Sequence, residues 1–418
     1  MIEVIVNRPS FEYDIHSLVK SFFPREDVQI HVQDTFTEDT ALRISVEFTD
    51  ETVSICLMEQ GEEKESGASV INYAERKETK NRLKRQLYQL LWAYTGQTLP
   101  WGTLTGIRPA KIAMGLIEQG MSNVETAEYM RNTYLASKEK VALSVMIANR
   151  ERYVLRNIDY KDGYSLYVGI PFCPSICLYC SFSSYPLERW RKRVDQYLDA
   201  LCKELDYVAD RFRDKKLNTV YIGGGTPTTL EPYQLDRLLT RIQSKFDTEH
   251  LQEFTVEAGR PDSITREKLQ VLLDHGIDRI SINPQTMNQK TLEIIGRRHT
   301  VDQVKEAFTL ARSMGFAHIN MDLIVGLPGE SYDDVEHTMK ELEAMAPDSV
   351  TVHSLAIKRA ARLSLFKHKY EEMGLENNMQ IMDMTARYCA EMGLSPYYLY
   401  RQKNMAGNFE NVGYAQPE

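Results

Sequence analysis

From about residue 164 onward, short apolar runs alternate with longer segments in which apolar residues recur every three or four positions. The apolar runs predict six strands, at 165–170, 218–224, 253–258, 278–284, 317–326 and 349–355. The segments between them, such as 190–212 and 232–246, have helical periodicity. Strands and helices that alternate at this spacing predict parallel strands joined by right-handed crossovers.

The first part of the chain has a different pattern. Four runs predict strands, namely MIEVIVN, VQIHVQ, ALRISVEF and TVSICLMEQ, and the segments 76–96 and 122–155 predict helices. The basic residues between Arg76 and Arg85 are interpreted as a solvated helix face, and no catalytic constellation is found here. We therefore predict an N-terminal α/β domain over 1–155, a βα domain over 160–360 and a C-terminal helical or cap segment over 361–418.

Unusual polar or glycine-rich features follow five of the six predicted strands at their carboxyl ends. In chain order these are a cysteine-rich loop, GGGTPT (223–228), Glu257, Gln285, and Asp322 with GLPGE (326–330). Six βα units could close most of a barrel or form an open sheet. Chemistry in a βα barrel gathers at the carboxyl ends of many strands, whereas a doubly wound sheet concentrates it at one switch point. The pattern therefore favours an α/β fold with a partial (β/α)6 barrel.

Composition and charge narrow the class of protein. The chain has 418 residues and a net charge of −9, which argues mildly against a nucleic-acid partner. No run of 18 apolar residues appears, so no membrane span is expected, and the acid at Glu3 without a basic start argues against a secretory signal. A cytoplasmic protein is predicted, in a compartment where clustered thiols bind metal or do chemistry more often than they pair.

Three of the six cysteines, Cys173, Cys177 and Cys180, lie within eight positions in a Cys-x-x-x-Cys-x-x-Cys spacing. Structural zinc sites and most iron–sulfur sites use four protein ligands, and no fourth ligand lies nearby. The remaining cysteines lie in regular apolar patterns and are predicted to be packed core thiols: Cys56, Cys202 and Cys389. The cluster therefore indicates a three-ligand metal site with an open position. The alternative, a chance group of surface thiols, is disfavoured by the tight loop that Gly169, Pro171 and Pro174 predict.

Six motifs together resemble one known family: YVGIPFCPSICLYCSF, GGGTPT, TVEAGRP, RISINPQTM, GRRHT and NMDLIVGLPGE. They are similar to the radical S-adenosylmethionine (SAM) superfamily, and within it to the oxygen-independent coproporphyrinogen III dehydrogenase branch. The C-terminal YYLYRQKNMAGNFENVGYA resembles the HemZ-type subgroup of that branch. The resemblance covers roughly 160–418 and, more loosely, 101–112. Members of this subgroup usually continue further, so part of the cap segment is expected to be absent.

The resemblance implies which residues hold the cofactors. The three clustered cysteines would bind three irons of a [4Fe–4S] cluster, and SAM would bind the fourth iron, where reduction cleaves it to methionine and a 5′-deoxyadenosyl radical. The resemblance implies the following SAM contacts: Tyr167, Gly224, Gly225, Thr226, Glu257, Gln285, Arg297 and Asp322. This chain has Gly169 where some members have a histidine, and Ser181 and Ser183 where some have another cysteine. A second bound SAM is therefore not implied.

The resemblance also implies the reaction, in which two propionates of coproporphyrinogen III are oxidatively decarboxylated to give protoporphyrinogen IX during heme biosynthesis. A heme carrier that keeps the cluster is the alternative, and an electron-transfer protein ranks last because it would use four protein ligands. Tyr167 and Arg401 are predicted as catalytic residues. The segment with Arg401, Gln402, Lys403 and Asn404, beside Tyr397, Tyr398 and Tyr400, is expected to cover the barrel mouth and bind the substrate carboxylates. Arg189–Arg193 could receive an acidic electron donor such as a flavodoxin or ferredoxin, although a solvated helix start is the alternative.

Overall fold

The computed structural model describes residues 1–33, 40–106, 108–358, 360–365, 370, 372–402 and 405–417. Internal contacts divide the chain into two compact units. One is Met1–Asn149 with Leu399–Phe409, and the other is Arg150–Tyr398 with Glu410–Glu418. This division places part of the predicted cap segment with the first unit, and the boundaries predicted at 155–160 and 360–361 stay predictions. Among the described residues, no helix combines the length and apolar composition that a membrane crossing requires.

The first unit contains a mixed five-stranded sheet with the strand order β2-β1-β3-β4-β5. Its strands are β1 (Ile2–Val6), β2 (Val28–Val32), β3 (Leu42–Phe48), β4 (Thr52–Glu59) and β5 (Glu62–Val70). Its helices are α1 (Glu12–Phe22), α2 (Arg76–Thr95), α3 (Pro109–Glu118), α4 (Asn123–Tyr134) and α5 (Lys138–Val154). Strict alternation in β3 turns its four apolar side chains into the core, which also includes buried leucines of α2.

The four predicted strands and the helix predicted at 76–96 are confirmed as β1 to β4 and α2. The stretch predicted as helical at 122–155 forms two helices, because the chain turns at Leu135 with a φ of 55°. Strand β5 was not predicted, since it is an edge strand with no apolar alternation. The prediction that Cys56 is a core thiol is wrong. Val53, Ile55 and Leu57 of β4 face the core, so Cys56 lies on the opposite face and is only half-buried.

The second unit contains most of an eight-stranded sheet. The strands are β6 (Gly163–Ile170), β7 (Phe172–Cys173), β8 (Tyr185–Pro186), β9 (Lys216–Gly224), β10 (Glu253–Glu257), β11 (Arg279–Ser281), β12 (His318–Val325), β13 (Ser349–Ser354), β14 (Ser395–Tyr400) and β15 (Asn411–Ala415). Strands β7 and β8 form a separate two-stranded pair. The helices are α6 (Leu187–Trp190), α7 (Val194–Arg211), α8 (Pro232–Lys245), α9 (Arg266–Asp274), α10 (Gln289–Ile294), α11 (Val301–Met314), α12 (Tyr332–Met345), α13 (Arg362–Leu365) and α14 (Met379–Glu391).

Strand order decides between a barrel and an open sheet. Strands β6, β9, β10, β11, β12 and β13 are parallel neighbours in chain order, with no reversal along the sheet. A doubly wound sheet reverses its order at a switch point, so this curled half-barrel confirms the predicted partial barrel. Two strands that the sequence did not predict extend the sheet. Strand β15 pairs antiparallel with β13, and β14 forms the edge.

Candidate functional site

The cysteine-rich loop runs from the carboxyl end of β6 to α6 and is held in place by backbone hydrogen bonds. Within the loop, the Tyr185 N–H donates to Pro171 O at 2.7 Å. The Leu178 N–H donates to Ile295 O at 2.8 Å, which joins the middle of the loop to the end of α10. The loop is therefore a fixed part of the barrel mouth, and its three cysteine side chains have defined positions.

Each of the three thiols lies beside a hydrogen-bond donor. The Thr226 hydroxyl lies 3.5 Å from Cys173 Sγ, and Arg260 Nη1 lies 3.8 Å from Cys177 Sγ. Cys180 is close to the backbone N–H of Phe182. Burial raises the pKa of the Cys173 and Cys180 thiols, and these donors act in the opposite direction. The donors therefore offset part of the cost of burying a thiolate, which is the form in which cysteine binds a metal.

The chemistry of this donor set suits an iron–sulfur cluster, because cysteine thiolates are the ligands of such clusters. Within the described residues, no three His, Cys, Asp or Glu side chains converge closely enough to hold one metal ion. Thiolates of an iron–sulfur cluster each bind a different iron, so they stand further apart than the ligands of one ion. Cys173, Cys177 and Cys180 could hold three irons in this way, with the fourth iron open to another ligand.

Two glycines of the GGGTPT motif are required by close approaches within the chain. A Cβ on Gly225 would lie 2.7 Å from Phe172 O and 3.0 Å from Cys173 Sγ. A Cβ on Gly223 would lie 2.9 Å from Glu257 Oε2. Glycine therefore lets β9 pass directly beneath the cysteine loop on one side and beside the Glu257 carboxylate on the other.

The backbone N–H groups of this motif are used inside the chain. The Gly225 N–H donates to Ile170 O at 2.7 Å, and the Thr226 N–H donates to Phe172 O at 2.8 Å. The Gly224 N–H interacts with the Glu257 carboxylate. Their hydrogen bonds hold the cysteine loop and Glu257 in place, and the assignment of Gly224, Gly225 and Thr226 as SAM contacts stays a prediction.

A stacked tyrosine pair leads from the barrel mouth to Glu257. The rings of Tyr167 and Tyr221 are 5.9 Å apart and nearly parallel, and Tyr167 is 61% exposed. The Tyr221 hydroxyl donates to Glu257 Oε1 at 2.5 Å. Burial raises the pKa of the Glu257 carboxyl to about 7, and the hydrogen bond from Tyr221 limits the rise. Glu257 can therefore gain or lose a proton near neutral pH.

Asp322 on β12 has the opposite electrostatic environment. Burial alone would raise its pKa, but a hydrogen bond and the charge of His353, with hydrogen bonds from Asn320 and Thr351, hold the pKa below its usual value. Asn320 Nδ2 donates to Asp322 Oδ1 at 2.7 Å, and His353 Nε2 lies 3.5 Å from Oδ2. Asp322 is therefore an ionised carboxylate near Glu257, whose pKa it also raises.

Gln285 and Arg297 are both buried near the same strand ends. Gln285 has a φ of 65° and forms a bridge to β12, because its N–H donates to Asp322 O and its carbonyl accepts from Ile324 N. Arg297 donates to the carbonyls of Asn283 and Gly259 and interacts with Cys177. In this structure both residues connect neighbouring strand ends.

Arg401 lies in a different environment from the one predicted. It is 1% exposed and belongs to the first compact unit. Its guanidinium donates to Leu104 O at 2.6 Å and to Asn408, and it lies 5.1 Å from the centre of the Trp101 ring. Buried carbonyl partners favour a structural role over the predicted contact with substrate. Gln402 is half-buried, and the predictions for Lys403 and Asn404 lie outside the described residues.

Three residues of the site were not assigned a role from the sequence: Tyr221, Arg260 and His353. Tyr221 and His353 could have been found from strand periodicity. Tyr221 pairs with Tyr167 in the sheet register. Asp322 pairs with Thr351, and His353 lies two residues further along the same strand, so its side chain projects from the same face of the sheet. Arg260 lies in the quoted TVEAGRP motif, but its partner Ser175 lies 85 residues away in the cysteine loop, and no local pattern indicates that contact.

Comparison with known proteins agrees with this geometry. The family model described as "Radical SAM superfamily" matches residues 167–342, which contain the cysteine loop and the ends of β9 to β12. The oxygen-independent coproporphyrinogen-III oxidase-like protein HemZ of Bacillus subtilis (strain 168) is 43% identical over 345 residues. That match covers 82% of this chain and 69% of HemZ.

Two further relatives have names that describe different functions, one a heme chaperone and the other a coproporphyrinogen III oxidase. The heme chaperone HemW of Lactococcus lactis subsp. lactis (strain IL1403) is 36% identical over 53% of this chain and 59% of its own length. The structure of coproporphyrinogen III oxidase (HemN) from Escherichia coli, a radical SAM enzyme, matches with a TM-score of 0.53 and 26% identity. It covers 64% of this chain and 59% of that one. The chain thus spans about three fifths of these two relatives.

Proposed function

Because the chain belongs to the radical SAM superfamily and to its HemZ-type branch, we propose that it oxidatively decarboxylates coproporphyrinogen III to protoporphyrinogen IX. The superfamily uses a [4Fe–4S] cluster and SAM. The observation that carries the proposal is the similarity to HemZ over 82% of the chain. The polar strand ends around the three-cysteine loop support it.

In this proposal the loop cysteines Cys173, Cys177 and Cys180 hold the cluster. When bound, the reduced cluster and SAM supply a 5′-deoxyadenosyl radical that can abstract a hydrogen atom. The donors next to the sulfurs, including the Thr226 hydroxyl, stabilise the thiolate charge. The close packing at Gly225 fixes the loop against β9.

The carboxyl ends of the strands would bind SAM. Asp322 is ionised and can accept hydrogen bonds from the two ribose hydroxyls, as carboxylates do in other nucleoside sites. A ligand cation would favour the ionised form of Glu257, whose pKa is about 7. The remaining contacts proposed from the family resemblance are Tyr167, Gly224, Gly225, Thr226, Gln285 and Arg297. Of these, Tyr167 is exposed at the mouth of the barrel, where a ligand can reach its ring.

Decarboxylation of each substrate side chain releases one electron, so the reaction requires an external acceptor that takes one electron for each side chain. Each of two propionates would lose a hydrogen atom from its β-carbon, then one electron to the acceptor and one carbon dioxide, and so become a vinyl group. The chain would contribute by binding and orienting SAM and substrate, and by keeping water from the radical.

A heme carrier is the second candidate, and the similarity to HemW favours it. Both candidates would hold the cluster, so the presence of iron does not separate them. They differ in turnover of porphyrinogen and in affinity for heme itself.

The deciding experiment is an anaerobic assay with reconstituted protein, a chemical reductant, SAM, coproporphyrinogen III and an added one-electron acceptor. Formation of protoporphyrinogen IX by the wild type, and its absence in Cys177→Ala, would support the enzyme. SAM cleavage without decarboxylation, together with tight binding of heme, would instead assign the chain to the carrier class.

We further propose that an acidic electron-donor protein, such as a flavodoxin or ferredoxin, docks at the basic start of α7. Arg191, Lys192 and Arg193 are exposed there, directly after the cysteine loop. Lys358, whose ammonium lies 5.5 Å from the Phe182 ring centre, adds positive charge near Cys180. These cations stand out in a chain with a net charge of −9, and complementary charge accelerates association.

The donor proposal can be tested with the double variant Lys192→Glu/Arg193→Glu. Reduction of the cluster by flavodoxin should slow and lose its salt dependence, while reduction by dithionite, which needs no docking, should be unchanged. The matched control is Arg211→Glu at the other end of α7, about 27 Å away along the helix axis. Equal slowing in both variants would place the donor elsewhere.

A further inference from the structure

Arg260 is a buried cation beneath the cysteine loop. It follows the end of β10, and its side chain is 3% exposed. Asp262 holds the guanidinium in a two-pronged pair, with Nε 3.0 Å from Oδ1 and Nη2 2.9 Å from Oδ2. Such pairs fix the plane of a guanidinium, so its remaining N–H groups point in defined directions.

Those remaining N–H groups point at the cysteine loop. Arg260 Nη1 lies 3.2 Å from Ser175 O and 3.1 Å from Ser175 Oγ, and Nη2 lies 3.1 Å from the same hydroxyl. Nη1 also lies 3.8 Å from Cys177 Sγ. The Ser175 hydroxyl donates onward to Gly296 O at 2.8 Å. Arg260 therefore touches both the backbone of the loop and one of its sulfurs.

The three loop sulfurs differ in the kind of hydrogen-bond donor that lies beside each of them. Cys173 faces a neutral hydroxyl and Cys180 faces a backbone N–H. Cys177 faces the Arg260 guanidinium and also interacts with Arg297, a second buried cation. Nearby cations also act on Cys173 and Cys180 through charge, but Cys177 is the sulfur for which a guanidinium N–H lies in direct contact, in a place shielded from water, where charges interact strongly.

We propose that Arg260 is a positioning residue that sets the reduction potential of the bound cluster through Cys177. Hydrogen bonds to the sulfurs and nearby charge are established controls of iron–sulfur potentials. Reduction adds one negative charge to the cluster, and a fixed cation at Cys177 stabilises the reduced form more than the oxidised form. Arg260 therefore raises the potential and makes the cluster easier to reduce. The inference depends on the cluster and not on the identity of the substrate.

The test is a redox titration of the reconstituted full-length chain, in which the reduced cluster is followed by electron paramagnetic resonance. Arg260→Gln should shift the reduction equilibrium at least tenfold towards the oxidised form, which is about 59 mV to more negative potential for a one-electron couple. Arg260→Lys should shift it less, because the charge remains while the planar fork is lost.

Asp262→Asn supplies a change of opposite sign. Removing the carboxylate leaves more net positive charge beside Cys177, so the potential should become less negative. Loosening of the loop alone would not move these two variants in opposite directions. This second variant also decides the question if Arg260→Gln retains no iron.

Arg312→Gln is the matched control. Arg312 likewise joins an aspartate to backbone carbonyls, but it does so at the opposite, amino-terminal end of β12 and β13. Its substitution should leave the potential unchanged. An unchanged potential in Arg260→Gln with intact cluster content, or an unchanged or more negative potential in Asp262→Asn, would overturn the proposal.

Discussion

Each of the two compact units buries an arginine, and the partners of the two side chains are of different kinds. In the first unit, Arg401 is 1% exposed and donates to Leu104 O and to Asn408, beneath the Trp101 ring. In the barrel, Arg260 is 3% exposed, and its guanidinium reaches a carboxylate, a serine hydroxyl and a cysteine sulfur.

The comparison teaches that burial of a charge does not by itself indicate function. A guanidinium whose partners are backbone carbonyls joins segments of chain and stabilises the fold. A thiol can bind metal, so a guanidinium beside it can influence what is bound there. The nature of the atoms around each arginine separates the two cases, and the predictions below test that separation.

The largest expected effect is at the loop cysteines. Replacing Cys173, Cys177 or Cys180 with alanine should abolish the cluster, because each would supply one of only three protein ligands. Iron and sulfide content and the visible absorption of anaerobically reconstituted protein measure this.

Cys202→Ala is the control for that loss. Cys202 is 6% exposed and packs in the apolar face of α7, away from the loop. This variant should keep full iron content. Loss of iron in Cys202→Ala would mean that the three-ligand interpretation is wrong.

The second prediction concerns Arg401, and its failure would contradict the distinction drawn between the two arginines. Arg401→Ala should destabilise the first unit by about 3–5 kcal/mol, because carbonyl acceptors lose their donors and a cavity remains. Hydrogen exchange in 1–149, compared with exchange in the barrel, measures the change. SAM binding should persist.

The interpretation of Arg401 as a substrate contact predicts the reverse. Stability and hydrogen exchange would then be unchanged, and only binding of the porphyrinogen would be lost. Arg401→Met, which keeps much of the side-chain volume, should recover part of the stability if packing contributes, without restoring any carboxylate contact.

The two arginines also show where prediction from sequence succeeds. Strand periodicity and local motifs pointed to the cysteine loop, Glu257 and Asp322, because the first two lie at the carboxyl ends of strands and Asp322 lies within β12, and each of these strands is specified by its own neighbours. The partner of Arg401 at Leu104 is 297 residues away, and that of Arg260 at Ser175 is 85 residues away. Such pairings arise only when the chain folds, so the sequence did not indicate the buried partners of Arg401, and it assigned no role to Arg260.

The third prediction is a pH dependence of stability in the barrel. Glu257 has a pKa of about 7 in the folded chain against an ordinary 4.5, because burial disfavours its charge. The folded state therefore holds the proton more tightly than the unfolded state, and stability falls as the pH rises through this window. The expected loss is roughly 2–3 kcal/mol between pH 5 and pH 8.

Glu257→Gln isolates that contribution, since glutamine has a similar shape and does not titrate. Denaturant unfolding of ligand-free wild type and variant at both pH values gives the difference. If the two proteins lose the same stability between pH 5 and pH 8, Glu257 is not the titrating group. No such difference is expected for the first unit.

The smallest effect is expected at Asp322, where binding rather than folding should change. Asp322→Ala removes an ionised carboxylate that we propose accepts from the ribose hydroxyls of SAM. Loss of a charge-assisted hydrogen bond costs about 1.5–3 kcal/mol, which is roughly a ten- to hundredfold loss of SAM affinity. Calorimetric titration of the reconstituted protein measures the affinity, and cluster content should stay unchanged.

Asp348→Asn alters a carboxylate that bonds Arg312 and the Ile319 N–H at the opposite end of the same strands, so it should leave SAM affinity intact. An unchanged affinity in Asp322→Ala would instead assign that carboxylate, like Arg401, to holding the fold together.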